Sequence, residues 1–491
     1  MKKITSILLA ILMLISILAS CDGNDETTTT EIPTTEAPTT EASTTEVPTA
    51  IDPNAPWSSK YDIRDTWSGK TLNIACSAWY SEGAPWVMPE TSITEKNDAD
   101  FGKKIQEAVL DRNEFIGNTY GVKVNWINAA NANMHKALEA AVLAENIYYD
   151  LAASRMMNIH DIIAGGYVYD LAGREFIDFR NPYYMDESVK TYTAHGHTFF
   201  VTGGFSILDK ETALIVFFNK NLLPNEATND IYDMVRKGEW TFDKFFTYSE
   251  AAYSDNGDGI KGNDTFGATI VSTYYYYEYF GVKTAEANET TGQWELTIND
   301  DKVNDIINAI IKTYNHNQEA FVTYGGRIHF NNNQAAFVNE QLINLDELKV
   351  ENIGIVPFPM LNKEQGRYYA PCSMQMAVAM CVPKITQDRA MSEYFMDVLC
   401  WTGEEYVVKA YIDEKMERFG TEAEREMLTE YIIPNISYDV GEAVGWGRLI
   451  NIKGKDYDNI DQFYEVYARA EPDALKTIAE WNAAWGGYTE E

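Results

Sequence analysis

Cysteine is scarce in this sequence. There are five among 491 residues, and no two have the C-x-x-C spacing of a zinc or dithiol redox site. Positive charge is short as well. Thirty-nine Lys and Arg face 74 Asp and Glu, a formal net charge of −35. A surface that acidic repels phosphate backbones, which argues against nucleic acid as a partner. Its simplest use is solubility. After the first eighteen residues no run is long and apolar enough to span a bilayer. Catalytic signatures are missing too: there is no G-x-S-x-G, H-E-x-x-H, P-loop or G-x-G-x-x-G. His195 and His197 form an H-x-H, but two histidines do not complete a metal site, and a turn before a strand is the simpler role. Glu404 and Glu405 read as a solvated helix face, not as a glycosidase pair. Nothing here points to an enzyme.

What is present begins at the N-terminus. Lys2 and Lys3 precede an uncharged stretch over 4–18, which suits a signal-peptide core and is short for a membrane span. Leu18-Ala19-Ser20-Cys21 follows, with small residues before the cut and a cysteine at it. This is similar to the bacterial lipobox, in which the thiol receives a diacylglycerol and becomes the new N-terminus. The reading is a signal peptide over 1–20 and a lipid-anchored mature chain that does not cross the membrane. Residues 21–55 form a tether. Four copies of one Thr-Thr-Glu-rich pentad run over 29–48, and between Asp22 and Asp52 there are eight acids and no base. Such repeats lack the apolar surface to fold and stay extended. At ~3.1 Å per residue, some thirty residues could hold the body up to ~90 Å from the membrane.

The remaining cysteines are Cys76, Cys372, Cys381 and Cys400. Outside the cell they could form disulfides, while their apolar contexts suit buried thiols at least as well. Hydrophobic residues make up 45% of the chain, enough for a real core, and the length calls for two lobes. From about residue 56 the pattern alternates. Strands are expected over 71–79, 122–126 and 149–154, with helices over 101–119 and 134–147 between them, a parallel α/β layout. Further strands are expected over 199–201, 212–219 and 353–359, separated helices over 389–399 and 404–416, and a capping box at Thr421 and Glu424. Thr202-Gly203-Gly204 reads as a flexible change of direction. The dense run Tyr274, Tyr275, Tyr276, Tyr277, Tyr279 and Phe280 reads as core and surface packing.

Several segments then carry a resemblance. They are Asn181-Pro182-Tyr183-Tyr184, the run from His197 to Gly203, Phe217-Phe218-Asn219-Lys220, Gly238-Glu239-Trp240-Thr241, the stretch 353–359, Tyr438-Asp439 and Gly445-Trp446-Gly447. In order and spacing they resemble the extracellular solute-binding proteins of family 1, the maltodextrin-binding-protein-like receptors of ABC importers. The resemblance implies a two-lobed periplasmic-binding-protein-like α/β fold of type II, with a ligand cleft between the lobes and a hinge crossed more than once. It implies no catalysis. The expected division is lobe 1 over 56–204, lobe 2 over 205–368, a return to lobe 1 over 369–434 and a C-terminal part of lobe 2 over 435–491.

In open α/β sheets ligands bind beyond the carboxyl ends of the strands. Trp79 and Tyr80 follow the first expected strand and Arg155 the third. The resemblance puts the loop around Trp446 on the opposite side and Tyr369 where the chain recrosses the hinge. These five are the expected ligand residues. The solute is expected to be a sugar or oligosaccharide. Alternatives are a peptide or polyamine receptor, or a surface glycosidase or adhesin. The expected partners are the solute, ABC permease subunits and the membrane through Cys21, and the expected location is the outer face of the bacterial cytoplasmic membrane, as a monomer. One loop, 254–264, has alternating oxygen ligands around glycines. Ser254, Asn256, Asp258 and Asp264 fit a structural calcium loop with two departures: a serine at position one, and an aspartate one place short of position twelve. The same Asn-Gly and Asp-Gly pairs fit a plain turn.

Overall fold

A computed structural model describes residues 65–77, 103–129, 133–144, 147–270, 275–298, 302–315, 320–322, 326–442 and 460–490. The chain divides into two units, Met1–Thr49 and Ala50–Glu491, and every described residue lies in the second.

The body opens with strand β1 (Thr71–Ser77), helix α1 (Lys103–Tyr120), strand β2 (Lys123–Asn128), helix α2 (Met134–Ala144) and strand β3 (Leu151–Arg155). β1 lies between β2 and β3, parallel to both. From Leu72 on, only Asn73 of β1 is not fully buried, as expected of a strand covered on both faces. α1 buries Ile105, Val109, Ile116 and Tyr120, one stripe at helical spacing. Gly121 ends it at φ +66°, and a side chain there would collide with Ser68. Two short helices follow, α3 (Ile159–Ala164) and α4 (Asp186–Thr191).

The chain then leaves this sheet. Helix α5 (Leu208–Glu211) leads into strand β4 (Leu214–Asn219) of a second sheet. Helix α6 (Phe242–Ala252) starts after Thr241, and strand β5 (Phe266–Ile270) follows. A small hairpin of β6 (Ala285–Ala287) and β7 (Trp294–Leu296) comes next. Strands β8 (Phe321–Val322), β9 (Ala335–Gln341) and β10 (Ile353–Val356) complete a sheet in the order β8-β5-β9-β4-β10. β4 runs antiparallel to both its neighbours, and the other pairs are parallel.

The return passes through β11 (Ala370–Pro371) to β12 (Val378–Cys381), which pairs antiparallel with β3. The first sheet therefore reads β12-β3-β1-β2. Sequence led us to expect parallel strands, yet each sheet contains one reversed strand, and in each it is the first strand after a crossing. The reason is where the chain enters. Val378 pairs with Arg155, the last residue of β3, and Leu214 pairs with Gln341, the last residue of β9. A strand that begins where its neighbour ends must run the other way. The expected strand over 199–201 is reduced to one bridge, Val201 with Met380.

Helix α7 (Arg389–Thr402) is capped by Asp388, whose side chain accepts from Met391 N. It continues through a π-helical turn, Gly403–Val408, into α8 (Lys409–Phe419), so two expected helices are one continuous rod. Helix α9 (Glu422–Glu426) and the turn after it pack on β10. The expected capping box does not form: the Thr421 hydroxyl caps no backbone N–H and bonds the Glu424 carboxylate directly, which also takes Lys220 and Tyr232. Strand β13 (Ile436–Ser437) pairs parallel with β11. Helix α10 (Ile460–Gly486) touches α3 and β7. Cys76, Cys372, Cys381 and Cys400 are buried and not disulfide-bonded. Burial pushes the Cys76 thiol up to about 12, so it stays protonated.

Candidate functional site

The two reversed strands point to the cleft. Both crossings deliver the chain to the edges where the parallel strands end, so the carboxyl edges of both sheets meet at the hinge. On the first sheet that edge is Ser77, Asn128 and Arg155, facing the start of β12. Backbone bonds from Met156 N to Ala377 O (3.0 Å) and from Met157 N to Met374 O (3.1 Å) close it. Arg155, expected to reach the ligand, is 8% exposed. Its Nη2 lies 3.1 Å from Met157 Sδ, and burial lowers its pKa. Trp79, Tyr80 and Trp446, the other expected residues on these edges, lie outside the described residues, and so does Cys21.

Beside this edge the first crossing carries charge that sequence reasoning missed. Asp209, Lys210 and Glu211 of α5 are all 2% exposed or less. Lys210 Nζ lies 3.3 Å from Asp209 Oδ1, and Tyr438 OH donates to Asp209 Oδ2 at 3.1 Å. Lys415 of α8 reaches Glu211 Oε1 at 2.8 Å. Ions this deep persist only when each has a partner, because desolvation costs several kcal/mol per ion. Every charge on α5 meets one here. In the sequence, Asp-Lys-Glu between apolar runs has no feature that distinguishes it from a surface turn.

A second feature is a cavity of about 590 Å³ beside the hinge strands. Glu187, Lys283, Glu278, Tyr369, His195 and Ser437 line it. Arg367 Nη1 donates to Glu187 Oε1 at 2.8 Å, and Lys283 Nζ lies 3.3 Å from Glu187 Oε2. Burial alone would raise the Glu187 pKa, but Lys283 and Arg367 more than offset it, and the carboxyl is held low. Ser437 Oγ donates to Glu278 at 2.7 Å. Tyr369 stands in this cavity, with the Arg367 guanidinium 5.0 Å from its ring centroid. Gly281, at φ +76°, also lies close to that ring, and a Cβ would fall 2.7 Å from it. Arg155 does not line the cavity, so the structure does not bring Tyr369 and Arg155 together there. The cavity has the volume of a small-molecule site. Yet no residue lining it ends a strand of either large sheet. In open α/β sheets the strand ends, rather than such a side cavity, are where ligands are usually met.

The 254–264 loop uses its oxygens internally. Asp255, Asn256 and Asp258 each accept from a backbone N–H two residues on, at 2.7, 2.9 and 2.6 Å. Asn263 Nδ2 donates to Asp258 Oδ2 at 2.7 Å, and Asn256 N donates to Asp264 Oδ1 at 3.2 Å. Ser254 makes a two-way backbone pair with Thr265. Among the described residues no three His, Cys, Asp or Glu side chains gather into a group that could hold a metal ion. Of the tyrosine run, Tyr274 lies outside the described residues; Tyr276, Tyr277, Tyr279 and Phe280 are buried, and Tyr276–Tyr279 is a helical turn.

Neither a protein-family model nor a curated protein sequence matches the chain. Solved structures do. A cyclo/maltodextrin-binding protein complexed with maltotetraose matches with a TM-score of 0.53 at 12% identity, over 84% of this chain and 96% of its own. The fold is that of the maltodextrin-binding-type receptors. UgpB from Mycobacterium tuberculosis, in complex with glycerophosphocholine, matches with a TM-score of 0.51 at 12% identity, over 83% of this chain and 99% of its own. The maltose-binding periplasmic protein of Listeria monocytogenes, in complex with maltose, gives 0.50 at 15% identity, over 86% and 99%. The matches span nearly the whole of each receptor, so both lobes and the hinge are shared. Among the described residues no helix is long and apolar enough to cross a membrane.

Proposed function

We propose that the protein is a lipid-anchored solute-binding receptor that delivers a sugar or oligosaccharide to an ABC importer. The observation that carries this reading is the pair of sheets whose reversed strands bring both carboxyl edges to one hinge, an arrangement that makes a cleft able to close on a ligand. No catalytic step is assigned to it. Sugars present apolar C–H faces and a rim of hydroxyls, which suit flat aromatics and polar side chains. Trp79, Tyr80 and Trp446 are the aromatics proposed for this role, while Arg155, buried at the strand end, would have to turn outward to reach a hydroxyl. The test is calorimetry of the mature protein against a panel of oligosaccharides, followed by Trp79→Ala and Trp446→Ala with whichever binds. Each substitution is expected to cost ~1–3 kcal/mol, by analogy with bases stacked on aromatics, about 5- to 150-fold in affinity. If both variants fold and bind within about twofold of wild type, the cleft assignment is wrong.

A non-sugar solute is the second reading, and one observation favours keeping it: a protein of this fold is seen with glycerophosphocholine. Binding of a peptide, polyamine or phosphodiester with no sugar bound would move the assignment there and leave the receptor intact.

Binding itself needs no cofactor in this proposal. For the 254–264 loop we adopt the turn, because its oxygens already accept from its own amides. The expected outcome is a melting temperature unchanged by chelator. A fall on chelation that Asp258→Asn abolishes would establish structural calcium instead, since a ligand bound only to the native state raises stability by mass action.

A further inference from the structure

The hinge cavity is bounded at two places by polar contacts that join the halves of the fold. At the first, Glu187 of α4, on the first-sheet side, takes Arg367 at 2.8 Å and Lys283 at 3.3 Å. Lys283 follows β5 of the second sheet, and Arg367 stands just before the return crossing. The side chains of Glu187 and Lys283 are 11% and 13% exposed, while that of Arg367 is 36% exposed, so added salt reaches the Arg367 pair. At the second, His195 N donates to Gly292 O at 2.7 Å, linking the stretch before the first crossing to the β6–β7 hairpin. Asn482 of α10 completes that contact. Its Oδ1 lies 2.9 Å from His195 Nε2 and accepts from Trp294 N at 2.8 Å, while its Nδ2 donates to Trp294 O at 2.9 Å. One amide thus gives Trp294 the two bonds that a neighbouring strand would give, and holds His195 as well. Gly292 and Gly486 make room for it: a Cβ at either would press on His195, at 3.3 and 3.0 Å.

Between these ties lies the cavity. Contacts that join the two halves can be stronger at one hinge angle than at another, and only such discriminating contacts can shift the equilibrium between angles. We propose that Glu187 and Asn482 set the angle between the lobes, so that loosening either one shifts the open–closed equilibrium without touching the solute. Neither residue stands at the carboxyl edge of a sheet. The consequence for solute affinity rests on the receptor reading; the consequence for the angle does not.

The test is therefore made without solute. In a Cys21→Ser background, donor and acceptor dyes are placed at Glu139→Cys on α2 and Lys237→Cys in the second lobe, both exposed positions. The four other cysteines are buried and escape labelling. Single-molecule FRET then gives the ratio of the two hinge populations. Glu187→Gln and Asn482→Ala are each expected to change it about threefold or more. In wild type, raising salt from about 0.05 to 0.5 M should move it the same way as Glu187→Gln, because added ions weaken the Glu187 pairs. An unchanged distribution in both variants, with only a lower melting temperature, overturns the proposal. If Glu187→Gln does not fold, a salt-independent ratio in wild type overturns the Glu187 part. A shifted distribution in a protein that binds no oligosaccharide, peptide, polyamine or phosphodiester would sink the receptor reading and leave this one standing.

Discussion

A methyl group on Gly204 would overlap Cys400 O and Glu404 N, and one on Gly403 would overlap Gly204 O. Two glycines therefore let the first crossing and the α7 rod meet backbone to backbone, and the π-helical turn begins at that contact. In the sequence Gly203-Gly204 reads as a flexible joint; in the fold it is a packing requirement. Gly204→Ala is expected to destabilise by about 1–3 kcal/mol or more, the usual cost of overpacking. Urea unfolding would read this, and a loss under about 0.5 kcal/mol would mean the rod can slide away. The ion pairs of α5 teach a related lesson. Lys415 lies 204 positions along the chain from Glu211, and no local pattern announces that pairing.

The C-terminal helix is held to its neighbours by a stack of rings. His160 of α3 lies flat on Trp481 of α10, with centroids 3.3 Å apart and planes within 4°, and Trp294 and Trp485 stand around it. Burial depresses the His160 pKa from 6.5 to about 3, so the folded protein holds the ring neutral. The unfolded chain then takes up the proton first. Stability from this residue is complete above about pH 6.5 and is lost as pH falls from there toward 3, by at most about 1.4 kcal/mol per pH unit. His160→Phe keeps a flat ring on Trp481 and removes the titration. Between pH 7 and pH 5 wild type is expected to lose about 2 kcal/mol more than this variant. Equal slopes in thermal melts would place the proton elsewhere. Elements of this kind were half legible. The amphipathic stripe of α1 is local, so sequence shows it. The ring stack joins residues more than 300 apart, and only folding creates it.

At the scale of the whole molecule, the ends and the body follow different rules. The proposed tether and lipid anchor rest on composition and position alone. Cys21→Ser should release the protein from membranes into the aqueous phase of a detergent partition, since a diacylglycerol supplies the two acyl chains that stable anchoring takes. A variant that still partitions like wild type would remove the anchor from the account. In the body, the sequence alone determined the alternation of strands and helices, the need for two lobes, and the absence of a catalytic signature, because burial period, chain length and motif chemistry are all local or additive quantities. It placed Arg155 at the end of a strand correctly, without showing that its side chain would be buried. Tertiary structure alone decided the reversed strands, the merging of two expected helices into one rod, the buried charges of α5, and the placing of Tyr369 in a hinge cavity with Glu187 and Arg367 rather than beside Arg155. Each of these depends on which distant segments meet, and which segments meet is set by the closing of two sheets around a hinge, a property that no window of sequence contains.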